Sequence, residues 1–213
     1  SVASTDGAFI EEDGLIVIEV ESATMGDGWV KETSLAGYTG SGYYRWTKGS
    51  TGQPTGPGGI MSYKLLVTNP GRYKFDIRCS KKDVGDSTLA NDCFTKMVGH
   101  AEPQGEMQKV WMGGAHYTFV WGCKFDLGHD NHPACTYDLT AGLHEFQVAG
   151  RSKDFMIDRM AFWRSDLTSD SVARDASTPE SVRVGDPARR ISGELKQWHN
   201  VSVSFNGPET SET

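Results

Sequence analysis

The chain has 213 residues, 37% of them hydrophobic, with a formal net charge of −7. That length suffices for one well-cored domain plus additional segments. No run approaches the roughly eighteen apolar residues of a membrane-spanning helix, and the acidic balance argues against nucleic acid, which selects a basic face.

The polar opening, residues 1–13, has neither the basic nor the apolar region of an export signal, which implies that any such signal has been removed. The first strand is expected at 15–21, LIVIEVE, with Ile16, Ile18 and Val20 on one face. A glycine-rich stretch, 26–42, follows, and then a short aromatic strand at 43–46. Residues 47–59 are nearly all turn formers. A strand at 60–68 ends in the turn Asn69-Pro70-Gly71. The strand at 72–79 alternates most cleanly, with Tyr73, Phe75, Ile77 and Cys79 on one side and Arg72, Lys74, Asp76 and Arg78 on the other. Further strands are expected at 92–99, 117–126, 135–140, 143–149 and 155–163. No helical period is sustained, and the 25 glycines fall between short apolar runs, so the fold class is an all-β sandwich.

Past Ser165 the texture changes. Residues 165–190 contain almost no large apolar side chain and read as a linker. Residues 191–205 regain strand character, with Val201, Val203 and Phe205 alternating, and read as the start of a further β module, 191–213. The domain expectation is therefore a sandwich over 1–164, a linker over 165–190 and an incomplete module beyond.

Cys79, Cys93, Cys123 and Cys135 allow three disulfide connectivities. The favoured one is Cys79–Cys93 with Cys123–Cys135, each bracing one loop, and it implies an oxidising, secreted location. A zinc site from Cys123, His129, His132 and Cys135 is the rival, though it lacks the usual tight couplets.

If consecutive strands run antiparallel, the loops at 47–59, 80–91, 127–134 and 150–154 share one end. That end would gather Tyr44, Trp46, Arg78, Asn91, Asp92, Trp121, Arg151, Lys153 and Asp154. Flat aromatics beside Arg, Asn and Asp suit a sugar, whose C–H face stacks on a ring while its hydroxyls need donors and acceptors. Trp46, between two loops, is expected to be exposed; Trp121 reads equally as a core residue. Arg151 and Asp154 have a plainer reading as a mutual ion pair. Glu19 and Glu21 project on one face, and Asp158 sits among apolar neighbours where an unpaired carboxylate is costly. With loop carbonyls these three would suit calcium, whereas solvent exposure and arginine pairing form the plain alternative.

The runs IEVES (18–22), GYTGSGYYRW (37–46), GRYKFDIR (71–78) and AGLHEFQVAGRSKDFMIDRMAFW (141–163) together resemble carbohydrate-binding modules of families 6 and 35. The resemblance implies a jelly roll of the galactose-binding type and a structural Ca2+ held by Glu19, Glu21 and Asp158. It also implies a loop-end ligand site with Tyr44 or Trp46, and Trp121, as its aromatics. An Asn expected before the last strand is replaced by the run RSKDF (151–155), which moves the polar role to Arg151, Lys153, Asp154 or Asn91. The run GELKQWHNVSVSFNGPETSE (193–212) is similar to a small β module found ahead of the catalytic barrel in some glycoside hydrolases. The expected function is a non-catalytic module that binds a polysaccharide or oligosaccharide and targets an appended glycoside hydrolase. The alternative is a catalytic hydrolase or lyase domain using loop-end acids such as Asp92 and Asp154. Lys48, Arg78, Lys81, Lys82, Arg151 and Lys153 hint at an anionic polysaccharide.

Overall fold

In a computed structural model, residues 4–49, 52, 59–86, 88–102, 105–112 and 115–186 are described. The module fragment expected at 191–213 lies outside them. Two sheets face each other. The first has the order β1 (Phe9–Ile10), β5 (Ile60–Val67), β12 (Gly142–Gly150), β7 (Asp92–Met97), β8 (Gln108–Trp111) and β10 (Lys124–Phe125). The second has the order β11 (Thr136–Leu139), β6 (Gly71–Lys81), β13 (Phe155–Trp163), β4 (Tyr43–Trp46) and β3 (Trp29–Glu32). To it are added β2 (Leu15–Glu19), paired with β13, and β9 (Val120–Trp121), paired with β6. Among these strands, every pairing but β1–β5 is antiparallel, so the expected all-β sandwich is the fold.

The inward faces are those the alternation dictates. Ile16, Ile18, Tyr63, Leu65, Phe75, Ile77, Phe146 and Phe162 are buried together. Phe75, Phe146 and Phe162 form a ring triad with centroids 4.6–4.9 Å apart. The last strand, β13, is buried on both faces along its whole length. It pairs with β6 on one side; on the other it pairs first with β4, through Met156 and Ile157, and then with β2, from Arg159 onward. Asp158 is the extra residue at the changeover, where the register against β6 slips.

Three short strands, β1, β3 and β8, fall where no strand is expected. The strand expected at 117–126 is instead two fragments: β9 pairs in the second sheet and β10 in the first, so the chain crosses between sheets around Gly122.

The segment read as a linker is laid against the sandwich over its described part, 165–186. Its one helical turn, α1 (Asp170–Ala173), is capped by Ser169, and Ala173 is buried against Ala161 and Trp163. Asp170 accepts from the Trp163 indole at 2.9 Å, and Arg174 reaches the buried Asp76 at 2.8 Å. The chain then runs along the open side of β2 and β1, with Ser181 N donating to Val17 O, Ile10 N to Val182 O and Val184 N to Ala8 O at 2.8–2.9 Å. Covering an exposed strand edge requires backbone and short polar groups rather than apolar bulk. That is why the composition of 165–186 misleads.

Candidate functional site

The antiparallel count places three of the four expected loops together. Asp154 N donates to Trp46 O, Lys82 N to Asp154 O and Ser152 N to Asp92 O, so the described ends of the loops after β4, β6 and β12 meet at one end; residues 50, 51 and 53–58 of the first loop lie outside the described residues. The loop 127–134 does not join them. It lies beside β8, where His132 stacks on Trp111 with centroids 4.8 Å apart. Its place is taken by the segment after β8, tied in by Tyr117 N donating to Lys81 O at 3.1 Å.

Within this end, most of the expected sugar ligands are committed elsewhere. Tyr44 and Trp46 point inward and are 4% and 5% exposed. The Trp46 ring packs on Trp29 at 5.2 Å and over Gly150, where a Cβ would collide with the ring at 2.0–2.4 Å. Its expected exposure is therefore corrected: three glycines, Gly28, Gly59 and Gly150, open an internal slot that this indole fills. Arg78 donates to Asp158 and to Gly37 O. Asn91 and Asp92 are buried, and Asp92 accepts from Arg151, Ser152 and Lys109. Arg151 thus pairs with Asp92 and Asp154 with Arg45, not with each other. Trp121 packs with Leu15, Trp163 and Ala173 on the outer face of the second sheet. Lys153 stays exposed.

What the end does present is a cleft of about 330 Å3 on the opposite parity of β4. Tyr43 and Arg45 form its floor with Met156; Glu32 and Leu35 line it from the β3 side, and Lys82, Tyr117 and Asp154 from the loops. Arg45 is fixed from two directions. Its Nε and Nη2 donate to Glu32 Oε1 at 2.9 and 2.7 Å, and its Nη1 to Asp154 Oδ1 at 2.8 Å. Tyr43 Oη donates to Glu32 Oε2 at 3.1 Å. The Arg45 guanidinium holds the Glu32 carboxyl below the usual range. Tyr117 is 49% exposed. Tyr117 and Asp154 both have left-handed backbone, with φ of 55° and 68°. Such conformations cost a non-glycine residue about 1 kcal/mol or more, and they collect where a side chain must be aimed. Of the ligand residues expected from the sequence, only Asp154 lines this cleft; Lys82, from the basic set, lines it as well.

The acidic trio does gather around the loop 39–41. The strand stops at Glu19, and Val20–Ser22 forms a single 3-10 turn. Glu19 accepts from Arg159 and from Thr39 Oγ1; Asp158 accepts from Arg78 and Thr39 N; Glu21 accepts from Ser41 N. Burial pushes the Glu21 carboxyl up, and the nearby Glu19 charge adds to this; burial also raises Asp158. Gly40 approaches so closely that a Cβ there would collide with the Glu21 carboxylate, and Glu21 Oε2 is buried without a hydrogen-bond partner. A hard cation suits that orphan oxygen and the adjacent backbone. Asp158, however, is already matched by Arg78, and among the described residues no three His, Cys, Asp or Glu side chains converge as a metal group.

The cysteines are free. Cys123 Sγ and Cys135 Sγ stand 3.2 Å apart, and Cys79 Sγ lies against Met112 Sδ. No two of the four sulfurs stand at bonding distance, so neither disulfide of the expected pairing is seen. The zinc alternative also falls: His129 is exposed beside Asp130, and His132 is turned to Trp111.

No protein-family model matches the chain, and no curated protein matches it. Among solved structures, it is similar to a family 35 carbohydrate-binding module from Clostridium thermocellum, with a TM-score of 0.49 and 17% identity over 70% of this chain and 98% of that one. It is similar to the Podospora anserina GH26-CBM35 β-(1,4)-mannanase, with a TM-score of 0.48 and 19% identity over 71% of this chain and 28% of that one; the present chain spans little more than a quarter of that enzyme. It is also similar to the module CBM6cm-2 of the Cellvibrio mixtus lichenase 5A, determined with cellotriose, with a TM-score of 0.44 and 14% identity over 71% of this chain and 98% of that one.

Proposed function

We propose that this chain is a carbohydrate-binding domain whose sugar lies in the cleft between Tyr117 and Arg45. One observation carries the reading: a half-exposed aromatic ring and a guanidinium clamped between two carboxylates line one open cleft at the loop end. The ring offers a stacking face, and the clamped groups offer donors and acceptors that need no reorganisation on binding. The cleft is at the lower end of the size usual for small-ligand sites and suits one or two sugar rings. Affinity electrophoresis against a polysaccharide panel tests the reading. Tyr117→Ala should stay folded and lose about 2 kcal/mol or more of binding, the scale of a single aromatic anchor. Retained binding by a folded variant would sink it.

Hydrolysis is the weaker reading. A glycosidase general acid needs a carboxyl with a raised pKa. Glu32 is held low by Arg45, and Asp92 is matched by Arg151 and Lys109.

The same proposal extends to three further points. Calcium would be held by Glu21, Glu19 and the backbone of 39–41, with Asp158 joining only by exchanging Arg78. The orphan Glu21 oxygen supports this, and a melting temperature that chelator leaves unchanged would refute it. In a longer chain the domain would hold an appended glycoside hydrolase on its polysaccharide, as the likeness of 193–212 to a hydrolase-associated module suggests. Such a protein would act outside the cell.

A further inference from the structure

We propose that the cleft selects a neutral sugar with vicinal hydroxyls and rejects uronic acids; this rests on the carbohydrate-binding reading above. Arg45 has given three of its N–H groups to carboxylates, two to Glu32 and one to Asp154. Each carboxylate is therefore partnered, and the one guanidinium of the cleft is already balanced. With Lys82 added, the lining carries two cations and two anions.

An entering carboxylate must either break an Arg45 pair or lie beside Glu32 and Asp154 with Lys82 as its balance. The first leaves a half-buried acid without its partner, and the second sets like charges together. A hydroxyl pair meets neither cost. Each hydroxyl both donates and accepts, and the cleft places guanidinium N–H groups beside carboxylate oxygens, a mixed set that two adjacent hydroxyls can complete. Other cations near this end are also matched: Lys48 by Asp27, Arg78 by Asp158 and Arg151 by Asp92. Three of the six basic residues that suggest an anionic polysaccharide in the sequence, Lys48, Arg78 and Arg151, are thus balanced by the fold.

Isothermal titration with the methyl glycosides of glucose, galactose, mannose, xylose and arabinose, and with those of glucuronic and galacturonic acid, tests this. At least one neutral glycoside should bind, with affinity little changed by salt. Each uronate should bind about tenfold or more weaker than the neutral sugar of the same ring stereochemistry. In Glu32→Gln, which removes one negative charge but keeps an acceptor for Arg45, the ratio should move toward the uronate. Salt-sensitive uronate binding as tight as neutral binding would overturn the selectivity while leaving a carbohydrate site in place. Failure of every glycoside to bind would overturn both readings.

Discussion

Replacing Trp46 with alanine should unfold or severely weaken the domain rather than blunt its affinity. At 5% exposure nearly all of the indole is out of water, an area on the order of 200 Å2. At about 25 cal/mol per Å2 this is worth about 5 kcal/mol. Two terms reduce it. Alanine keeps part of the buried area, and the indole Nε1 has no hydrogen-bond partner, so its removal returns about 1 kcal/mol. The net loss is about 3–4 kcal/mol, within the usual range for a buried Trp→Ala change. For a domain of this size that lowers the melting temperature by about 10 °C. Gly150→Ala should do comparable damage from the other side, since its methyl collides with the Trp46 ring. Urea denaturation of both variants, followed by circular dichroism, gives the loss. If Trp46→Ala unfolds within about 1 kcal/mol of the parent, the ring is not the plug of the Gly28–Gly59–Gly150 slot.

The buried Asp76 carboxyl is pushed up to about 6 by burial, which its contact with Arg174 only partly offsets. The folded state then holds a proton that the unfolded chain has released. This group's contribution accordingly favours folding at low pH and fades as pH rises from about 4 to 6, by about 3 kcal/mol in all. Urea titrations across that window should show the trend weakened in Asp76→Asn, and an identical pH dependence would contradict it. Glu11 accepts from Gly14 N, Thr68 N and Oγ1, and Asn69 N and Nδ2, tying two turns together. Glu11→Ala should cost about 3 kcal/mol by orphaning those donors, and a loss below about 1 kcal/mol in the same assay would remove the claim. Cys79 and Cys93 are buried thiols whose pKa burial pushes well up. They should resist alkylation in the native protein and take label in denaturant without reductant; no added mass would mean that they are paired.

The sheets were legible because apolar alternation is a direct record of which face meets the core. The clean period of Tyr73, Phe75, Ile77 and Cys79 places β6 correctly to within two residues at either end. The proposed site was less legible because β4 is only four residues long and aromatic on both faces. Tyr43 and Tyr44 are equally plausible outward residues by composition, and a one-residue choice exchanges the faces. Reading Tyr44 and Trp46 as ligands put the core in the site and left Tyr43 and Arg45 unnoticed. The available signal was the set of distant glycines, Gly28, Gly59 and Gly150, whose missing side chains leave room for Trp46; their proximity exists only in three dimensions. Tyr117 escaped notice for a related reason: the run 117–126 alternates like one strand but crosses between the sheets. The edge-covering role of 165–186 depends on backbone hydrogen bonds, which composition does not record.

The central claim is that sugar is bound between Tyr117 and Arg45, and an NMR titration tests it most directly. Amide and side-chain resonances of the whole chain would be followed as the tightest-binding neutral glycoside is added. The account predicts saturable shifts centred on Tyr117, Arg45 and Asp154, with those of Lys64, His144 and Glu145 at a separate surface recess unmoved. Shifts centred on that recess, or on the acidic cluster of Glu19 and Glu21, with the Tyr117 signals unchanged, would contradict it.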